Sequence, residues 1–141
     1  MASAPSTPPR KWILVVDDDA NVRQLWIDAL RSDGYATVGT EDGIGAAELI
    51  RDLFPDLIVL DLRMPRMSGW DFLEVLRANP RWQKIPVLIV SGHLADRPPP
   101  ARESLRIVGR MAKPVGLQEL RAKIREAIGP ARPAAREGRP R

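Results

Sequence analysis

Four short stretches, each ending abruptly at a polar side chain, constrain this chain more than any other feature. Residues 12–16 run into Asp17, Asp18 and Asp19, residues 57–60 into Asp61, residues 86–90 into Ser91, and residues 110–112 into Lys113 and Pro114. Short apolar runs with helical patterns between them read as strands buried on both faces of a parallel sheet. In an open α/β sheet the ligand lies outside the carboxyl ends of the strands. Three carboxylates, a hydroxyl and an ammonium therefore converge on one edge, and that edge is the expected site.

The segments between these runs carry helical periodicity. Val22, Leu25, Trp26, Ala29 and Leu30 follow the three-and-four spacing of an amphipathic helix, stopped by Gly34. Residues 35–39 read as a short strand, after which Thr40 can cap a helix carrying Ala46, Ala47, Ile50, Leu53 and Phe54. A helix with Phe72, Leu73 and Leu76 ends before Pro80. Pro98, Pro99 and Pro100 permit only a late start to the next helix, expected at roughly 101–107, ahead of a strand at roughly 109–112. Leu117, Leu120, Ile124 and Ile128 line the last helix. Five strands and five helices in alternation predict an α/β fold, a parallel sheet covered on both faces with right-handed crossovers. Alternation leaves the strand order open.

At 141 residues the chain has the length of one domain with a single well-filled core. The ordered body is expected over 12–128, with a disordered arm at 1–11 and a disordered basic tail at 129–141. The net charge of +4 resides at the ends: residues 12–128 balance 16 basic against 17 acidic side chains. Four arginines among prolines and alanines read as a solvated end rather than a nucleic-acid surface. The absence of cysteine excludes a disulfide framework, thiolate chemistry and cysteine-based metal sites. No apolar run is long enough to span a bilayer, and Met1–Arg10 lacks the apolar stretch of a secretory signal, so a cytoplasmic location is expected.

Taken singly, these polar residues have ordinary explanations. Asp19 is the expected N-cap of the first helix, Asp17 and Asp18 suit a turn, and Ser91-Gly92 and Lys113-Pro114 suit strand-to-helix turns. Four such groups, each at the carboxyl end of a different strand, demand a common reason. Asp17, Asp18 and Asp61 cannot all be ionised side by side without a counter-charge. Mg²⁺ answers that need, being a hard ion that takes one or two carboxylates plus waters and leaves positions for phosphate oxygens. With Lys113 opposite and the Ser91 hydroxyl as a further donor, the groups are those required for phosphoryl transfer, with one carboxylate as the nucleophile.

The motifs Val16-Asp17-Asp18-Asp19, Leu60-Asp61-Leu62-Arg63-Met64-Pro65 with Gly69 following, Val90-Ser91-Gly92 and Lys113-Pro114 resemble those of a response-regulator receiver domain, the phosphoryl-accepting half of two-component signalling. The likeness covers roughly residues 12–128, and the spacing of all four motifs agrees. It implies a flavodoxin-like (βα)5 fold with strand order 2-1-3-4-5, the order for which a member of this family is the standard illustration. It further implies that Asp61 is the phospho-acceptor, Asp18 a direct Mg²⁺ ligand, Asp17 an acid holding the metal through water, and the backbone carbonyl of Arg63 a further ligand. Ser91 matches the hydroxyl that moves toward the phosphoryl group, Lys113 the lysine that pairs with it, and Lys113-Pro114 the family's cis peptide. The implied partners are a sensor histidine kinase or phosphotransfer protein and a downstream target protein.

Three departures from the family pattern stand out. Arg110 occupies the position of the aromatic residue that swings inward on activation. Pro98–Pro100 disturb the fourth helix, part of a common partner face. The 13 residues after Ile128 are too few for a further folded domain, so a stand-alone regulator is expected. The resemblance also places Arg63 and His93 beside the path of the water that removes the phosphoryl group, predicting slow self-hydrolysis. Two other readings compete: a receiver-like scaffold that works without phosphorylation, and an Mg²⁺-dependent aspartyl phosphatase. The second is disfavoured because Arg63, not an acid, stands two residues beyond Asp61.

Overall fold

The computed structural model describes residues 10–64, 66–92 and 106–132. Five strands, β1 (Trp12–Val16), β2 (Ala36–Thr40), β3 (Leu57–Leu60), β4 (Pro86–Ser91) and β5 (Arg106–Ala112), interleave with four described helices, α1 (Ala20–Ser32), α2 (Gly43–Asp52), α3 (Gly69–Arg77) and α4 (Leu117–Ile128). All strand pairs are parallel, and their order is β2-β1-β3-β4-β5, as the family resemblance implies. None of the described helices is long and apolar enough to cross a membrane.

Side chains alternate across the central strands with period two, and this divides the core in two. Leu14, Val16, Ile58, Leu60, Val87 and Ile89 face α2 and α3, meeting Ala46, Ile50, Phe72, Leu73 and Leu76. Their neighbours Ile13, Val15, Leu57, Val59, Leu88 and Val90 face α1 and α4, meeting Trp26, Ile27, Leu30, Leu120 and Ile124. Because helices cover both faces, β1, β3 and β4 have no polar positions before their last residues. That is why they appear in the sequence as unbroken apolar runs.

Helix ends follow local chemistry. Asp19 caps α1 by accepting the amides of Asn21 and Val22, as expected. At the other end of α1, Gly34 adopts φ 100°, its amide bonding Arg31 O at 2.9 Å and that of Tyr35 bonding Leu30 O at 3.1 Å. This paired closure needs a left-handed residue, which glycine supplies without strain. The cap of α2 is Asp42 rather than Thr40, which belongs to β2; Asp42 accepts the Gly45 amide. Strand β2 accordingly lies one residue later than its expected span of 35–39.

Other departures concern the margins. Leu25 is 54% exposed, at the flank of the α1 stripe and not in the core. Leu53 and Phe54 follow the end of α2 and are likewise exposed. Strand β5 begins at Arg106, three residues before its expected start, so residues 106–107 are strand and not helix. The remainder of the expected fourth helix, 101–105, lies outside the described residues.

The packed chain runs past the expected boundary at Ile128. Lys11 N donates to Ala131 O at 2.7 Å, the Tyr35 hydroxyl donates to Gly129 O at 2.5 Å, and Ala131 is 7% exposed against Gly34. These contacts sit at the amino end of β1, the opposite end of the sheet from Asp17. A chain ending at Ile128 is expected to lose roughly 2 kcal/mol of unfolding free energy, from two hydrogen bonds at about 1 kcal/mol each, without loss of phosphoryl acceptance. Urea titration and a phosphorylation assay check both halves; an unchanged midpoint would show that the segment contributes no stability.

Candidate functional site

The parallel ladder builds the site. Val16 pairs with Leu60 across β1 and β3, so Asp17 and Asp61, the first residue after each strand, emerge side by side. The Asp61 amide bonds Val16 O at 2.9 Å, continuing the ladder one step beyond the strand. Ser91 ends β4 fully buried, and Lys113 follows the last residue of β5, its amide bonding Ser91 O at 3.0 Å. The Lys113-Pro114 bond is cis, in agreement with the resemblance.

All three acids come together. Carboxylate oxygens of Asp17, Asp18 and Asp61 lie within 4.8 Å of one another; Asp17 is fully buried, Asp61 5% exposed, and Asp18 open to solvent. The Lys113 ammonium reaches across from β5 to Asp17 Oδ2 at 2.7 Å and Asp61 Oδ2 at 3.4 Å. The other oxygen of Asp17 accepts the Asp19 amide at 2.9 Å, which aims the carboxylate inward while Asp19 turns away to its helix. The Arg63 amide lies 3.4 Å from Asp61 Oδ1. Gly69 closes the loop against Asp61: a Cβ there would stand 2.2 Å from Asp61 O, so no side chain fits.

Burial pushes the Asp61 carboxyl above its ordinary pKa, and the charge of Asp17 adds to the effect; Lys113 and the Arg63 amide act against both. Burial acts to lower the Lys113 pKa, but its hydrogen bond to Asp17 and the charges of Asp61 and Asp17 outweigh this and leave it raised. The lysine thus stays charged among carboxylates that repel one another. One ammonium against three acids leaves the cluster short of positive charge. An all-oxygen donor set with that deficit suits a hard divalent cation such as Mg²⁺.

Several features were not legible in advance. Lys113 Nζ stands 5.7 Å above the ring of Trp26, within the range of a cation–π contact, whereas Trp26 reads in sequence only as part of an apolar stripe. Arg66 pairs with the buried Asp42, and nothing in their 24-residue separation announces it. Of the remaining expected residues, Arg63 and Arg110 have exposed positions, and His93 lies outside the described residues.

The family profile of the response regulator receiver domain matches residues 13–125. The chain belongs to this family, the receiver domains of two-component response regulators. Response regulator MprA of Mycobacterium sp. (strain KMS) is 34% identical over 125 residues, covering 82% of this chain and 50% of that protein. The DNA-binding response regulator MtrA of Mycobacterium leprae (strain TN) is 40% identical over 82 residues, 58% of this chain and 35% of that protein. This chain therefore spans between a third and a half of the length of these curated relatives. Among solved structures, response regulator TrrA of Thermotoga maritima in complex with Mg²⁺-BeF superposes with TM-score 0.71 at 26% identity, covering 83% of this chain and 98% of that one. The non-phosphorylated HemR receiver domain from Leptospira biflexa gives TM-score 0.71 at 27% identity, covering 89% and 99%.

The raised pKa of Asp61 has a consequence for stability. The folded chain binds this proton more tightly than the unfolded chain does. Asp61 therefore destabilises the fold increasingly as pH rises from its ordinary value near 3.8 through the raised one. Asp61→Asn keeps the shape and removes the charge. It is expected to raise the unfolding midpoint at pH 7, the gain vanishing below the ordinary carboxyl range. Denaturant titrations across pH test this, and equal midpoints at pH 7 would contradict it.

Proposed function

We propose that Asp61 is the phospho-acceptor of this receiver domain, and that acceptance requires Mg²⁺ held by Asp17, Asp18, Asp61 and the backbone carbonyl of Arg63. The observation that carries this is the placement of Asp61: nearly buried at the end of β3, beside two further acids and 3.4 Å from the Lys113 ammonium. The TrrA structure in complex with Mg²⁺-BeF supports the metal. When bound, the cation supplies the positive charge that the three acids lack.

A carboxylate oxygen of Asp61 attacks phosphorus of a phosphohistidine on a sensor kinase or phosphotransfer protein. The O–P bond forms as the P–N bond breaks, and the departing imidazole retains the electron pair. Lys113 is within reach to neutralise the phosphoryl oxygens, and the Ser91 hydroxyl, at the end of the adjacent strand, is a further donor. The acyl phosphate then shifts the balance between two conformations, and the signal passes to a downstream partner. Nucleic acid belongs among the partners of the MtrA relative, which is named a DNA-binding response regulator, so the whole protein's targets are not confined here to proteins.

The test is incubation with a small phosphodonor and Mg²⁺. One acid-stable, base-labile phosphoryl group is expected on the wild type and none on Asp61→Asn. Asp18→Ala should phosphorylate at least 100-fold more slowly, the upper end of what a disrupted metal shell costs, while keeping its fold. A wild type that binds a partner equally well with and without donor would instead favour a phosphorylation-independent scaffold.

Arg63, two residues beyond the acceptor and exposed, governs the lifetime of the phosphorylated state in this reading. A guanidinium has five donors and no acceptor, so it pairs with phosphoryl oxygens but cannot take a proton from an attacking water. Arg63→Asn is expected to speed loss of phosphate by about tenfold, the worth of one charge-assisted hydrogen bond of ~1.5 kcal/mol. Following phosphate loss from both isolated proteins decides this, and equal rates would remove Arg63 from the account.

A further inference from the structure

The described residues between β3 and α3, 61–64 and 66–68, are fastened at three points. At the base, Gly69 N donates to Leu62 O at 2.9 Å. At the far side, two consecutive residues are tied to the first turn of α2. Arg66 Nε lies 2.5 Å from Asp42 Oδ2, which the same guanidinium's Nη2 also contacts. The neighbouring Met67 O accepts the Gly43 amide at 3.0 Å, and the Met67 side chain lies over Gly43 so closely that a Cβ there would stand 2.7 Å from its Cγ.

The ion pair is asymmetric. Asp42 is buried with a side chain 1% exposed, whereas that of Arg66 is 59% exposed. The two oxygens of Asp42 divide their work: Oδ1 caps α2 through Gly45 N at 3.0 Å, and Oδ2 faces Arg66. The Gly45 hydrogen bond and the Arg66 guanidinium outweigh burial and hold the Asp42 carboxyl below its ordinary pKa. Arg66 meets this acceptor from φ 62°, and it is the sole non-glycine residue at positive φ among the described residues. An L side chain rarely adopts that conformation, and a long branched cation gains nothing from it locally. The compensation is the desolvated carboxylate it reaches.

We propose that Arg66 is a positioning residue of the acceptor site: its pair with Asp42 anchors residues 66–68 ahead of α3, and with them the metal-binding geometry of Asp61 and the Arg63 carbonyl. This rests on the reading of Asp61, Asp18 and Arg63 given above. The link is short, because Arg63 is three residues from Arg66 and its amide already approaches the Asp61 carboxylate. Mg²⁺ demands near-ideal octahedral geometry, so a loop free to wander weakens binding even with every ligand present. Groups that orient metal ligands typically govern affinity by 10–100-fold.

The experiment titrates Mg²⁺ into the unphosphorylated full chain by calorimetry, alongside chemical denaturation without metal. Arg66→Gly removes the guanidinium and leaves a residue at ease at positive φ. Asp42→Asn keeps the cap acceptor and removes the charge. Each is expected to weaken Mg²⁺ binding by about tenfold, the double variant no more than either alone, and Arg66→Lys to recover part of the loss. Non-additivity marks the pair as one unit. Affinities within twofold of wild type in Arg66→Gly would overturn the proposal, since a latch serving stability alone lowers the denaturation midpoint and leaves Mg²⁺ affinity untouched. If wild type and Asp18→Ala bind Mg²⁺ equally, the site reading falls and this proposal with it. If Asp18→Ala loses binding while Arg66→Gly keeps it, only the positioning role falls.

Discussion

One ammonium holds the carboxyl edge of this sheet together. Parallel pairing delivers the ends of β1 and β3 to the same place, and the acids that follow them are buried rather than solvated. Two neighbouring carboxylates in a medium of low dielectric repel strongly. Lys113, arriving from the opposite side of β4, touches both. Its reach depends on every step of the ladder between β3 and β5, so the geometry of the site is a property of the whole sheet. The compensation is incomplete, because exposed Asp18 adds a third negative charge. An edge that is stable but still acidic is the condition under which a cation and a phosphoryl group are welcome together.

The parts of the fold that could be read from the chain are those in which one physical term dominates. Residues 12–16 and 57–60 are buried on both sides, so hydrophobicity alone marks them, and their observed limits are those expected. Gly34 is legible for a different reason: closing a helix through positive φ suits one residue type. Where two terms compete, the pattern misleads. Thr40 and Asp42 are both capping residues two positions apart, and only the length of β2 decides between them. Strand β5 lies at the sheet edge with every residue half-buried or exposed and none buried, and a register irregularity near Leu88 brings Gly109 opposite it. Its first residues therefore lack the continuous apolar signature that reveals β1 and β3.

The site divides along the same line. Asp17, Asp18, Asp61, Ser91 and Lys113 were foreseeable because strand ends in a parallel sheet share an edge, whatever the details of packing. The Trp26 ring beneath Lys113 and the Arg66–Asp42 pair were not, because each joins elements whose relative placement only the folded core sets. Both lie one step outward from the acids. Spacing in the chain identifies groups that act at strand ends; it says little about the groups that hold them there.

The bond from Lys11 to Ala131 brings the two ends of the described residues together at one point. That point lies at the amino end of β1, on the pole opposite Asp61. A circular permutant, with these two positions bridged by a few residues and the backbone opened at a surface turn, would therefore keep every strand pairing and the same acidic edge. Cargo joined at either of these positions likewise hangs from the amino pole, the full length of the central strands away from Asp61.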